Sequence, residues 1–239
     1  MDVDRLVHHS RADMIVARLS DSILSGRLNE GELLPAEDKL CDQFGVSRTI
    51  LREALRVLVA KGLIVIKQGY GTAVCRPTAE IPQEALHNYL FMNTVSFLKL
   101  VDVRMAIEPR IAALAAVNRQ KNHLKSLKQS LLLMEHHQDS PTDCVRLDDA
   151  FHETLIDAAG NELFFIILRP IMSYLHVSRE LTLRRSGTAK VISEHTLIVD
   201  AIEKKDPRLA EEHMEKHLNS IRSDTRKIAI RRPVSKPQS

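Results

Sequence analysis

The segment LDDAFHETL, Leu147 to Leu155, holds an acid and a histidine four residues apart among apolar positions. On a helix that spacing puts Asp148 and His152 on one face, about one turn from each other. A carboxylate and an imidazole together make half of a site for a divalent transition metal. A buried Asp and His that simply hydrogen-bond each other also explain the pair, and spacing alone does not choose between the two. His195, in ISEHTLIVDAI, and His217, in AEEHMEKHLNSI, could complete a set of one Asp and three His from three helices, although separation along the chain is no proof of convergence. His213, one turn before His217, competes with it. The pairs His8 with His9 and His136 with His137 read as surface residues.

A second pattern is cationic. Arg48, Arg52 and Arg56 recur at i, i+4 and i+8, one stripe of a helix, and from Gly45 to Arg76 six Lys and Arg face a single acid, Glu53. An isolated stripe of this kind is a solvated helix face. A further basic cluster, Arg222, Arg226, Lys227, Arg231, Arg232 and Lys236, reads as a solvated terminus.

The elements around the stripe give it a setting. Ile15, Val16, Leu19, Ile23 and Leu24 predict a helix over 12–25, ended by Gly26. Pro35 suits the first position of a short helix running to about Phe44, with Glu37 and Asp38 in its first turn near the positive end of the dipole. Gly45 breaks that helix, and Ser47 caps another whose apolar face is Leu51, Ala54, Leu55, Leu58 and Val59, stopped by Gly62. LIVIK, QGYG and TAVCR then read as strand, turn and returning strand. Helix, tight turn, capped helix and wing together predict a winged helix-turn-helix. In such a module the second helix starts in the major groove, where arginine reads guanine edges while hydroxyls and wing backbone hold phosphates.

The stretch LPAEDKLCDQFGVSRTILREALRVLVAKGLIVIKQGYGTAV resembles the winged helix-turn-helix of the GntR family of bacterial transcription regulators, over about Ala12 to Arg76. The resemblance implies double-stranded DNA, a palindromic operator, as partner. By position it implicates Ser47, Arg48, Thr49 and Arg52 on the recognition helix and Gln68 and Gly69 at the wing tip. Asp38, followed by Lys39, departs from the arginine that many members carry there, so that contact is not carried over.

CRPTAEIPQ, Cys75 to Gln83, has the composition of a hinge. Beyond it, helices are predicted over 96–118, with Pro109 kinking or breaking the first, and over 122–137, 142–158, 162–185, 189–204 and 207–230. The joints are DSPTD, AGNE, SGTA and KKDP, and helices of this length form an antiparallel bundle. From about Leu98 to Asp224 the chain resembles the FCD ligand-binding domain of FadR-like GntR regulators, through VRMAIEPRIAALAA, DDAFHETLIDAAGN, EHTLIVDAI and AEEHMEKHL. That resemblance implies that Asp148, His152, His195 and His217 are ligands of one divalent transition metal per chain. Zinc comes first for such a set, with nickel or manganese admissible, and an octahedral shell would leave two positions for water or an effector. It also implies a homodimer, and that Arg104, in an R-x-x-x-E pattern with Glu108, meets the carboxylate of a small organic acid such as a hydroxy acid or sugar acid. The competing reading of Arg104 and Glu108 is a helix-surface salt bridge. Arg184 and Arg185 could instead border the pocket.

The expected organisation is a mainly α chain: a winged helix-turn-helix over 1–76, a linker and connecting helix over 77–95, an FCD-like bundle over 96–230 and a basic tail over 231–239. Composition agrees, with 239 residues, 44% hydrophobic content, 4% aromatic and no Trp, enough for two helical cores. Cys41, Cys75 and Cys144 are odd in number and widely spaced, which excludes a disulfide framework or a zinc knuckle and fits a reducing cytoplasm. Neither a signal peptide nor a membrane span is legible. The expected function is a ligand-responsive, DNA-binding repressor rather than an enzyme. A purely structural metal is the first alternative. A metal-dependent hydrolase, with Glu194 or Glu153 as base, is the second, but HExxH, a paired-metal carboxylate cluster and a nucleophile elbow are all lacking.

Overall fold

In the computed structural model, residues 10–229 are described, with the side chains of 185, 186, 228 and 229 left aside. His8, His9 and the basic tail with Arg231, Arg232 and Lys236 lie outside the described residues. The chain divides into two compact units, Met1–Ile81 and Pro82–Ser239.

The first unit opens with α1 (Arg11–Leu24), held at its start by a capping box: the Ser10 hydroxyl accepts from the Asp13 amide at 3.1 Å, and the Asp13 carboxylate accepts from the Ser10 amide at 3.0 Å. Helix α2 (Glu37–Phe44) ends at Gly45 in the left-handed region, φ 63°, which lets the chain turn sharply into α3 (Arg48–Ala60). Ser47 caps α3 by accepting from the Ile50 amide. Leu51, Ala54, Leu55 and Leu58 of α3 share one core with Ile15, Val16 and Leu19 of α1 and Leu40 of α2. Val59, expected on the same face, is 41% exposed. It follows Leu58 by one residue and so points roughly 100° away from it.

Strands β1 (Ile64–Lys67) and β2 (Gly71–Val74) form the antiparallel wing, in register from Ile64 with Val74 to Lys67 with Gly71. The expected first residue of α2 needs correction: Pro35 stays outside the helix, which is capped by Ala36. The preceding segment is occupied elsewhere, because the Gly31 amide donates to the Val74 carbonyl, the Val74 amide to Glu32 and the Leu34 amide to Thr72, at 2.8–2.9 Å. Residues 32–34 therefore lie along the free edge of β2, bridged at Leu33 and Ala73, shielding groups that would otherwise invite another strand.

The second unit is built from α5 (Phe97–Asn118), α6 (Lys121–His136), α7 (Pro141–Ala159), α8 (Glu162–Ser186), α9 (Thr188–Glu203) and α10 (Pro207–Ala229), preceded by α4 (Glu80–Met92). The hinge is shorter than its composition suggests. Pro82 is the third residue of α4, within the first turn, where its missing N–H breaks no intrahelical bond. Pro109 does not interrupt α5, which runs on through a buried face of Ile111, Ala112, Ala115 and Ala116 packed into the main core beside residues of α7, α9 and α10. Burial of that face offsets the roughly 3 kcal/mol that an internal proline costs. At the α7–α8 joint, Gly160 (φ 76°) ends α7, and the Asn161 side chain accepts from the Leu163 amide at 3.1 Å to start α8. Arg222, Arg226 and Lys227 are no tail: they belong to α10, and Arg222 pairs with Asp102 of α5 at 3.1 Å. Among the described residues no helix is long and apolar enough to cross a membrane.

Candidate metal centre and nucleic-acid interface

Helix α7 supplies Asp148 and His152 from one buried face, α9 supplies His195 and α10 supplies His217. The ligand-type atoms of these four buried residues lie within 4.8 Å of one another. Asp148 Oδ1 is 3.3 Å from His195 Nε2 and 3.7 Å from His152 Nε2, and His195 Nε2 is 3.3 Å from His217 Nε2. Bonds of about 2.0–2.1 Å to a common ion would put neighbouring ligand atoms roughly 3.0–3.4 Å apart. The arrangement thus has the right scale for a single metal ion.

Protonation supports the same fit. His152 Nδ1 lies 2.8 Å from Glu108 Oε2, and His217 Nδ1 lies 2.8 Å from Glu194 Oε2. A carboxylate there favours the Nδ1–H tautomer, which makes each Nε2 an acceptor. With Asp148 Oδ1, which among the described residues has no hydrogen-bond donor, three acceptors then converge. Beside them stands one His195 Nε2, with the Arg104 guanidinium 3.3 Å from His152 Nε2. Two imidazole nitrogens and a carboxylate oxygen facing a third imidazole nitrogen make a ligand set suited to a cation. Burial pushes the His217 imidazole down to about 4, against the opposing pull of Glu194, and holds His195 well below its usual range, so both are neutral near pH 7 as metal ligands must be.

Phe151 stacks on the His195 ring, 4.0 Å between centroids and 6° from parallel, fixing a side chain whose Nδ1 finds no partner among the described residues. Arg104 of α5 forms an ion pair with Glu108, as the sequence pattern suggested, but the pair is buried, not on a helix surface. Burial alone would raise Glu108; Arg104 and His152 outweigh it and hold the carboxyl well below the usual range. Arg179 of α8, also buried, pairs with both Asp148 and Asp149. Four carboxylates, Glu108, Asp148, Asp149 and Glu194, thus surround the imidazoles against two guanidiniums, an excess of two negative charges that one divalent ion would balance.

A cavity of about 200 Å³ between α7 and α8 reaches this centre through His152 and is also lined by Asp149, Glu153, Arg169, Ser173 and His176. A larger one, about 680 Å³, lies along the end of α7 and the start of α8 and touches none of the four ligand-type residues. Proximity to the chemistry makes the smaller cavity the relevant one. Arg184 lies on an exposed pair with Glu180, and the Arg185 side chain lies outside the described residues. His213 is half-buried and is not among the converging residues. His136 and His137 are exposed. Sequence reading overlooked Arg179, which no motif or spacing singles out, and took Glu194 only as a possible base, whereas it orients His217.

In the first unit, Ser47, Arg48, Thr49 and Arg52 are exposed at the start of α3, with Arg56 one turn further, and Gln68 and Gly69 are exposed at the wing tip. Gly69 has φ 76°, a backbone that favours glycine at this turn. The α3 arginines are not free: Arg48 pairs with Asp38 at 2.7 Å and Arg52 with Glu37 at 2.9 Å. Arg184 aside, these pairs and Arg179 are what spacing arguments could not supply.

A basic winged helix joined to a helical domain with a ligand-type centre defines a DNA-binding transcription regulator. Residues 11–74 match the bacterial regulatory proteins of the gntR family, and residues 99–220 match the FCD domain. The chain belongs to the GntR family, in its FadR-like, FCD-containing branch, a family of transcription regulators and not of enzymes. It is 28% identical over 222 residues to the HTH-type transcriptional repressor NanR of Citrobacter rodentium (strain ICC168), spanning 90% of this chain and 85% of that protein. To the repressor of the same name from Salmonella newport (strain SL254) it is 27% identical over 223 residues, with 90% and 85% covered. Among solved structures it is similar to Streptococcus agalactiae GntR, with TM-score 0.64 and 25% identity over 89% of this chain and 99% of that one.

Proposed function

We propose that this regulator is a repressor whose operator binding is relieved by a small organic acid held at a metal-centred site in the FCD domain. The observation that carries the reading is the buried convergence of Asp148, His152, His195 and His217 beside the buried cation Arg104. These four residues would hold one divalent ion, zinc foremost, and the ion would supply Lewis acidity and open coordination for an anionic ligand. Arg104, with its Nη1 buried and without a partner among the described residues, is suited to meet the carboxylate of a hydroxy acid or sugar acid. The cavity of about 200 Å³, which meets the centre at His152 and is not lined by Arg104, has polar groups for the remainder of such a molecule. Repression is in keeping with the relatives named as repressors.

At the other end, Ser47, Arg48, Thr49 and Arg52 would contact one half-site in the major groove and Gln68 and Gly69 the adjacent backbone, with two copies of the chain on a palindromic operator. By linkage, a ligand that releases DNA must bind the DNA-free arrangement more tightly. A purely structural metal is the second reading, favoured by complete burial of His195 and His217. A thermal-shift screen of small organic acids on the zinc-loaded and chelator-treated chain separates the two. An acid that raises the melting temperature only with zinc, and no longer does so in Arg104→Ala, supports the sensing site. Zinc stabilisation without any acid response supports the structural one.

A further inference from the structure

Two exposed ion pairs tie the first turn of α2 to the start of α3: Asp38 Oδ1 stands 2.7 Å from Arg48 Nη2, and Glu37 Oε2 accepts from Arg52 Nε at 2.9 Å. With side chains 38–71% exposed, such pairs contribute little to stability, so folding does not account for them. The placement is built in. The Leu34–Thr72 hydrogen bond keeps residues up to Pro35 out of α2 and starts the helix at Glu37, which sets both acids in its first turn. There the helix dipole favours their negative charge.

Each pair engages one nitrogen of a planar guanidinium that carries five N–H donors, leaving most of the fork available. A carboxylate on one edge fixes the plane and rotamer of the arginine, so less freedom is lost when another edge pairs with O6 and N7 of guanine. The same carboxylate repels phosphates and weakens binding to duplex of any sequence. Both effects favour discrimination over indiscriminate affinity.

We propose that Asp38, with Glu37 beside it, is a specificity-determining residue of this regulator: it positions Arg48 for one guanine in each half-site and suppresses sequence-independent binding. The inference rests on Arg48 and Arg52 facing base edges, as put forward above. The test uses the full chain, a duplex that the wild-type chain selects from a randomised library, derivatives of it with single G·C pairs changed to A·T, and a scrambled duplex, in anisotropy titrations across salt. Asp38→Ala should tighten binding to the scrambled duplex about 3-fold and steepen its salt slope by about one for each bound chain. Selectivity at one G·C pair should fall about 10-fold. Asp38→Glu should recover part of that selectivity, and in an Arg48→Ala background Asp38→Ala should change it no further. Equal tightening on selected and scrambled duplexes with selectivity intact would overturn the positioning role. If Arg48→Ala itself leaves binding to the selected duplex unchanged, the placement of α3 fails and the inference with it.

Discussion

The centre is decided by where its protons sit. Glu108 and Glu194 each take one Nδ1 and thereby aim an Nε2 lone pair at Asp148 and His195. Removing Glu194 as Glu194→Gln should lower zinc affinity about 10–100-fold. His195→Ala should lower it further, both read by competition with a chromophoric chelator, and undiminished affinity in Glu194→Gln would reduce that carboxylate to packing. pH gives an independent check. His217 sits at about 4 when folded, below the ordinary histidine value of 6.5, with His195 shifted the same way. Between those values the unfolded chain binds protons that the folded chain does not. The histidine contribution to the stability of the metal-free protein should therefore be fully present above about pH 6.5 and be lost as pH falls toward 4, by up to about 1.4 kcal/mol per unit for each ring. Asp149, raised to about 6 by burial, works in the opposite direction below about pH 6 and offsets about one of the rings. Urea midpoints of the chelator-treated Asp149→Asn chain, which removes the opposing carboxyl, measured from pH 7 to pH 5 should show the decline, and a flat profile there would contradict neutral burial of these rings.

At the scale of elements, caps and joints do the arranging. Ser47 has two tasks, capping α3 and standing at its exposed start, so Ser47→Ala should cost about 0.5–1 kcal/mol in a urea melt of the chain. No loss would mean that the Ser47–Ile50 contact, 3.5 Å long, is no effective cap. Periodicity and punctuation made these elements legible: each bundle helix from α5 to α10 lies close to its predicted span because apolar spacing and capping residues are local signals. Pro35 misled for the opposite reason. Its segment is claimed by β2 through backbone hydrogen bonds that no local pattern announces. Of the two outcomes expected at Pro109, the break did not occur, because the packing around α5 overrides the proline's intrinsic cost. The candidate ligands were readable as residue types, but their convergence was not. Arg179 remained invisible because an arginine on α8 acquires its meaning only from the Asp148 and Asp149 carboxylates facing it.

For the whole molecule, the two units have separate cores, one around Leu51 and Leu55, the other around Ile111, Phe151 and Met214. Chelation should lower the melting transition of the second unit and leave that of the first in place. Leu51→Ala, at a fully buried position, should destabilise the first by about 2–5 kcal/mol without altering zinc affinity. Calorimetry of the full chain reads both, and a single transition moved by either change would contradict independent cores. The function proposed above couples the two units, with a metal-held acid in the second controlling DNA binding by the first. The most direct measurement titrates small organic acids into the chain bound to its selected duplex, with zinc, without zinc, and with Arg104→Ala. Release of the duplex by an acid only when zinc and Arg104 are both present is the predicted result. Release that persists after chelation, or a zinc-loaded complex indifferent to every acid that stabilises the protein, would contradict it.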